Sequence, residues 1–137
     1  MTGTKSYSEL ISFSTFLDRY RYLKLGGRIG EETFGFDRYL NQALYKSPEW
    51  RRARDEVIIR DNGCDLGLDG YEIYDKILIH HINPITRRMI QDRDPEIFDL
   101  ENLICVSHNT HNAIHYGDES LLPILQVERY KGDTKLW

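Results

Sequence analysis

Two stretches decide how this chain reads: Ile79-His80-His81-Ile82-Asn83-Pro84, and Glu101-Asn102-Leu103-Ile104 running on to His111 and His115. Together with His108 they hold all five histidines of the 137-residue chain. Residues Ile73 to Ile82 read as a strand that ends in the histidine pair, and Pro84 breaks it. Consecutive strand residues face opposite ways, so His80 and His81 are expected on opposite sides unless the strand bends or ends there. From about Ser107 to Tyr116 a short helix is expected, closed by Gly117. His111 and His115 are four apart on that helix, so their imidazoles share one face and can bind the same ion.

Such a set suits phosphodiester hydrolysis. A divalent ion clamps the scissile phosphate and stabilises charge on the transition state and leaving oxygen. Three histidine ligands leave positions open for phosphate and water. A neutral imidazole can take the proton of the attacking water. One histidine of the pair can ligate the ion while the other faces a different group, such as the phosphate. Each piece alone is unspecific, since a His-x-x-x-His pair on a helix is more often a surface or satisfied pair than a metal site. Pro84 after the pair, and Asn102 nine residues before His111, make the combination specific.

With those residues in place, the chain resembles the HNH nucleases: a histidine pair, a central asparagine and a terminal histidine on a helix. Glu49-Trp50-Arg51-Arg52-Ala53-Arg54 and Arg60-Asp61-Asn62-Gly63-Cys64 are similar to the usual lead-in. The likeness covers about residues 47–117 and is closest to small HNH proteins of bacteriophages and prophages. It implies an α+β fold with a ββα-metal core preceded by N-terminal helices. It also implies a DNA endonuclease that cuts or nicks with one divalent ion, Mg²⁺ or Mn²⁺, with Zn²⁺ or Ni²⁺ as alternatives. His81 would be the general base, and Asn102 would hold the loop that orients it. His80 and His111 would be metal ligands, with His115 the third as in the colicin-type variant. A phage setting would suit genome processing or packaging beside a terminase.

The pattern also departs from the family. Many relatives carry two Cys-x-x-Cys pairs around a structural zinc. Here the first is reduced to Cys64-Asp65-Leu66-Gly67, and Ser107-His108-Asn109-Thr110 stands where the second would fall. A structural zinc is therefore not expected. Ser107 is expected to cap the helix. His108, off the face shared by His111 and His115, is expected to be exposed or to touch a phosphate. The two cysteines could pair only once and are expected to stay reduced.

Outward from the motif, Ser47-Pro48 starts a helix that ends at Asn62-Gly63, with Trp50, Ala53, Val57 and Ile58 as its apolar face. Arg51, Arg52 and Arg54 lie on its other faces, either solvated or in contact with DNA phosphates; Arg87 and Arg88 after Pro84 carry the same two readings. The net charge of −4 argues against an indiscriminate nucleic-acid binder. From Lys46 to Arg60, however, five basic residues stand against three acidic ones. Near the N-terminus, Ser6 and Glu9 fit a capping box, and Leu10, Phe13, Leu17 and Tyr20 predict one helix ended by Gly26-Gly27. Phe36, Tyr39, Leu40 and Leu44 suggest a second, their aromatics expected in the core. Residues 86–100 read as a charged, irregular connection. The organisation expected is a helical extension over 1–46, a nuclease core over 47–117, and a tail over 118–137 that packs back on the core. No leader or membrane span is expected, and the cytoplasm is the expected location. A noncatalytic, metal-stabilised DNA-binding or assembly module is the rival reading, and a nuclease directed at RNA is a third.

Overall fold

The computed structural model describes residues 5–24 and 38–122, with the backbone alone at 38–41. The expectations for Gly26-Gly27, for Phe34-Gly35-Phe36 and for Ile124, Leu125 and Val127 of the tail lie outside the described residues.

The elements are α1 (Tyr7–Leu10), α2 (Phe16–Leu23), α3 (Arg38–Tyr45), α4 (Pro48–Asp61), β1 (Leu78–His81), α5 (Arg87–Asp92), β2 (Leu103–Val106) and α6 (His108–Tyr116). β1 and β2 form a two-stranded antiparallel sheet, so the class is α+β. Among the described residues no helix is long and apolar enough to cross a membrane.

The period-two rule organises the core. The register pairs Leu78 with Val106 and His80 with Ile104, alternating with Ile79 opposite Cys105 and His81 opposite Leu103. Ile104 and Val106 pack with Leu10, Phe16, Tyr20 and Leu23 of the N-terminal helices and with Ala113 and Ile114 of α6. Leu103 and Cys105 pack with Trp50, Ala53 and Val57 of α4 and with Ile90 and Ile97. The sheet thus separates two apolar clusters, and the adjacent histidines of β1 enter different ones. The described part of residues 1–46 shares a core with the histidine-bearing elements.

Two strands leave bare edges, and α4 covers one of them. Cys105 N–H donates to the Asp61 carboxylate at 3.0 Å, while Arg60 donates to the carbonyls of Leu103 and Leu100, each at 2.6 Å. The Arg60–Asp61 pair is itself closed at 2.9 Å, and Tyr7 lies against the guanidinium. Buried backbone groups that water cannot reach must find such partners.

Several local expectations hold at their caps. Ser47 accepts from Trp50 N–H and Pro48 opens α4, which ends at Asn62 in the left-handed region. Ser107 caps α6, and Gly117, with φ 65°, closes it. Three expectations fail. The N-terminal helix is two helices, because Thr15 starts a second one by accepting from Asp18 N–H. The turn between them is held by buried Arg19, which donates to the carbonyls of Ile11, Phe13 and Leu66. The strand expected over residues 73–82 shortens to Leu78–His81, because Ile73 N–H bonds Gly63 and Glu72 bridges Cys64 instead. The connection over residues 86–100 is ordered: Thr86 caps α5, and Asp94-Pro95 and Asp99 start 3₁₀ turns at Pro95–Phe98 and Leu100–Asn102.

Candidate metal centre

His80, His111 and His115 converge. Each offers a ring nitrogen, and the three nitrogens lie within 4.8 Å of one another. The Nε2 atoms of His111 and His115 stand 3.1 Å apart, and the ring centroids of His80 lie 5.7 and 5.2 Å from theirs. Nitrogens around a tetrahedral ion sit about 3.3 Å from one another, given metal–nitrogen bonds of 2.0–2.1 Å. The helical pair already has that spacing, and His80 needs a small approach to complete it. His80 Nε2 is buried without a hydrogen-bond partner, a cost that an ion at this position removes.

Protonation favours ligation. Burial first, then the neighbouring imidazoles, holds His80 well below its ordinary pKa of 6.5. Burial and the adjacent His115 and His108 bring His111 to about 4. Burial lowers His115 as well. All three are neutral near pH 7 and present lone pairs, as metal binding requires. The three histidines can hold a metal ion.

The frame behind them is polar and buried. Asp65 accepts from Ser107 N–H at 3.1 Å and from the Thr110 hydroxyl at 2.6 Å, clasping the start of the helix that carries His111 and His115. Ser107 Oγ in turn accepts from Thr110 N–H at 3.2 Å. The turn that aims Asp65 places Leu66 in the left-handed region (φ 56°), costing on the order of 1–2 kcal/mol. Arg19 holds that turn through the Leu66 carbonyl at 2.8 Å. The carboxylate next to Cys64 thus clasps the start of the helix that carries two of the three histidines.

His81 stands apart from the three. Its ring enters the α4 cluster, stacked on Trp50 at 5.3 Å, and is 8% exposed. Its Nε2 lies 3.1 Å from the Ile97 carbonyl. A carbonyl only accepts, so Nε2 carries the proton and Nδ1 keeps the lone pair. Burial lowers the imidazole to about 4 against the opposing pull of the Ile97 carbonyl. The ring thus lies under Trp50 and does not face an open, water-filled position.

Asn102 is buried between these groups. Its Oδ1 accepts from the N–H and side-chain amide of Asn83, and its carbonyl accepts from Ile82 N–H at 2.8 Å. Its Nδ2 donates to the Glu96 carbonyl at 3.4 Å, next to Ile97. Asn102 therefore fixes both the chain leaving His81 and the segment that holds the His81 ring.

Most of the remaining positions lie on the surface. His108 is exposed, with Asn112 3.2 Å from its Nε2, and takes no part in the three-histidine cluster. Arg51 and Arg52 are exposed on α4, one and two residues past the Trp50 that stacks on His81. Arg54 is half-buried and 3.8 Å from Asp55. Arg87 and Arg88 are exposed at the start of α5, with Arg88 3.7 Å from Asp92. Cys64 and Cys105 are buried free thiols. Sequence reading gave no role to Asp65, Thr110 or Asn83, and counted Trp50 only as core. Asn83 did sit inside the quoted motif, whereas nothing in the Cys64-Asp65 pattern signals a buried carboxylate clasp. Comparison with protein-family models, with curated proteins and with solved structures finds no match to this chain.

Proposed function

We propose that this protein is a metal-dependent endonuclease of the HNH (ββα-metal) class that hydrolyses DNA phosphodiester bonds. One observation carries the reading. Three histidines meet at one point, while the adjacent His81 is held through Nε2 by the Ile97 carbonyl, with its Nδ1 lone pair uncommitted. That is the separation of ligands from base that hydrolysis needs.

His80, His111 and His115 would hold one divalent ion. Such an ion supplies Lewis-acid polarisation of the phosphate and charge neutralisation at the leaving oxygen. Imidazole donors suit Zn²⁺ or Ni²⁺; Mg²⁺ and Mn²⁺, which prefer oxygen donors, can serve with water filling their remaining sites. Nδ1 of His81 takes a proton from the attacking water, and the charge that forms on the ring is shared with the Ile97 carbonyl through Nε2–H. An imidazole at about pKa 4 is unprotonated at neutral pH but weakly basic. An anionic phosphate alongside raises it toward neutrality. Asn102 is a positioning residue: it touches the segments on both sides of the base. Arg51, Arg52, Arg54, Arg87 and Arg88 would meet backbone phosphates without reading sequence.

The test is nicking of supercoiled plasmid by purified protein with Mg²⁺, Mn²⁺, Zn²⁺ or Ni²⁺, and of structured RNA in parallel. Metal-dependent relaxation of the plasmid is expected. A protein that binds metal and DNA yet cuts with none of these ions is the noncatalytic module. A phage genome-processing role beside a terminase rests on the family resemblance alone.

A further inference from the structure

Residues 5–8 are fixed to the loops around His81 at three points. Lys5 N–H donates to Asn83 Oδ1 at 2.8 Å, and Asn83 Nδ2 donates back to the Lys5 carbonyl at 2.7 Å, across 78 positions of sequence. The Tyr7 ring centroid lies 3.5 Å from Arg60 Cζ, and that guanidinium donates to the carbonyls of Leu100 and Leu103. Ser8 donates to the Glu101 carboxylate through its N–H at 3.0 Å and its hydroxyl at 2.9 Å. Ser6 holds the spacing between them: its N–H donates to the Tyr22 hydroxyl at 3.0 Å and its side chain caps α1.

All three attachments converge on Asn102. Asn83 donates to its Oδ1, Glu101 precedes it, and Leu100 and Leu103 bracket the pair. Asn102 reaches the Glu96 carbonyl, and the next carbonyl, of Ile97, holds the His81 ring. His111 and His115 stand on α6, whose start Asp65 clasps instead. We propose that residues 5–8 are a positioning part of the site, acting through Asn83 and Glu101 to fix the loop that sets the His81 ring. A carboxamide committed at both its oxygen and its nitrogen ties these segments into one unit, so that loosening one loosens the others. The catalytic consequence rests on the nuclease reading above.

Glu101 is exposed, and its carboxylate can be removed without opening the core. Glu101→Gln keeps an acceptor for the Ser8 N–H and an amide that can donate to the Ser8 hydroxyl. The experiment compares the full chain with Asn83→Ala, Glu101→Ala and Glu101→Gln, all loaded with Zn²⁺. Solvent exchange of the His81 Nε2–H is read by NMR of isotope-labelled histidine, with the Cys105 amide as a reference for the fold. Zn²⁺ affinity is measured by calorimetry, and nicking at saturating ion and plasmid. Asn83→Ala and Glu101→Ala are each expected to speed the His81 exchange and slow nicking by about ten-fold, with Zn²⁺ affinity within about two-fold of wild type. The Cys105 amide should exchange as in the wild type. Glu101→Gln should match the wild type throughout. Combining Asn83→Ala with Glu101→Ala should lose less than the product of the single losses, because both loosen one segment. Unchanged His81 exchange in Glu101→Ala overturns the proposal. So does Zn²⁺ affinity that falls in step with nicking, or a Glu101→Gln protein that behaves like Glu101→Ala. Faster His81 exchange in a protein that never nicks upholds the positioning role and removes the nuclease reading.

Discussion

The side-chain oxygen of Asn102 accepts from Asn83 twice, from the backbone N–H at 2.8 Å and from the side-chain amide at 2.9 Å. One buried residue thereby couples the exit of β1 to the Glu96–Ile97 segment that holds the His81 imidazole. Placement of the His81 ring is thus a property of the loop as much as of the strand.

Asn102→Ala strands the Asn83 N–H and should cost about 1–3 kcal/mol in urea unfolding. On the proposed nuclease reading, cleavage should fall about 10–100-fold with metal affinity nearly unchanged, because His81 is displaced and His80, His111 and His115 are not. Equal losses of metal binding and cleavage would show instead that Asn102 supports the whole site.

His111→Ala removes one of the three histidines that can hold an ion and should weaken Ni²⁺ or Zn²⁺ binding by about 10–100-fold or more, with cleavage following on the proposed reading. His108→Ala should alter neither. Calorimetric titration separates them, and a His108 variant that loses the metal would mean a different ligand set.

Asp65→Ala leaves the Ser107 N–H and the Thr110 hydroxyl without their acceptor in a buried place. A loss of about 1–3 kcal/mol is expected. Metal affinity should drop as well, because α6 begins at this clasp. Stability within 0.5 kcal/mol of wild type would show that the helix start is held by Ser107 alone.

The metal-free protein should lose stability with acid earlier than its carboxylates require. Folded His81 and His111 titrate at about 4, whereas the unfolded imidazole titrates near 6.5. Between those values the unfolded chain binds more protons, so stability falls as pH drops from about 6.5 toward 4. Tm measured without metal should decline through that window. A Tm that stays level from pH 7 to 5 contradicts the burial of these rings. With metal bound, the same protons compete for the ligands, and the ion should be released over the acid end of that range.

Replacing Arg51, Arg52 and Arg54 by alanine should weaken DNA binding and flatten its dependence on salt, by a slope of about one per lost phosphate contact. Unchanged affinity returns that face of α4 to ordinary solvated surface.

The sequence was most legible where a local rule acts alone. Ser47-Pro48 and Asn62 mark the ends of α4, and Ser107 and Gly117 those of α6. The four-residue spacing of His111 and His115 put both rings on one face, and strand alternation separated His80 from His81. Residue-level reading did not find β2: Leu103–Val106 is four apolar residues, too short to distinguish from a buried helical turn. Its strand character comes from pairing with β1 and from the edge bonds of Arg60 and Asp61, both long-range. The single helix expected from Leu10 to Tyr20 failed for a similar reason. Its apolar spacing is right, but buried Arg19 stabilises a break that no periodicity reports. Asp65 was silent because it acts across more than forty residues of chain.

A three-histidine ion served by a separate base is decided by wild type and His81→Ala side by side. Each is titrated with metal and then given supercoiled plasmid at saturating ion. Comparable metal affinity for both and nicking by the wild type alone are expected. Equal nicking by His81→Ala, or no nicking by either at any of the four ions, would rule that arrangement out.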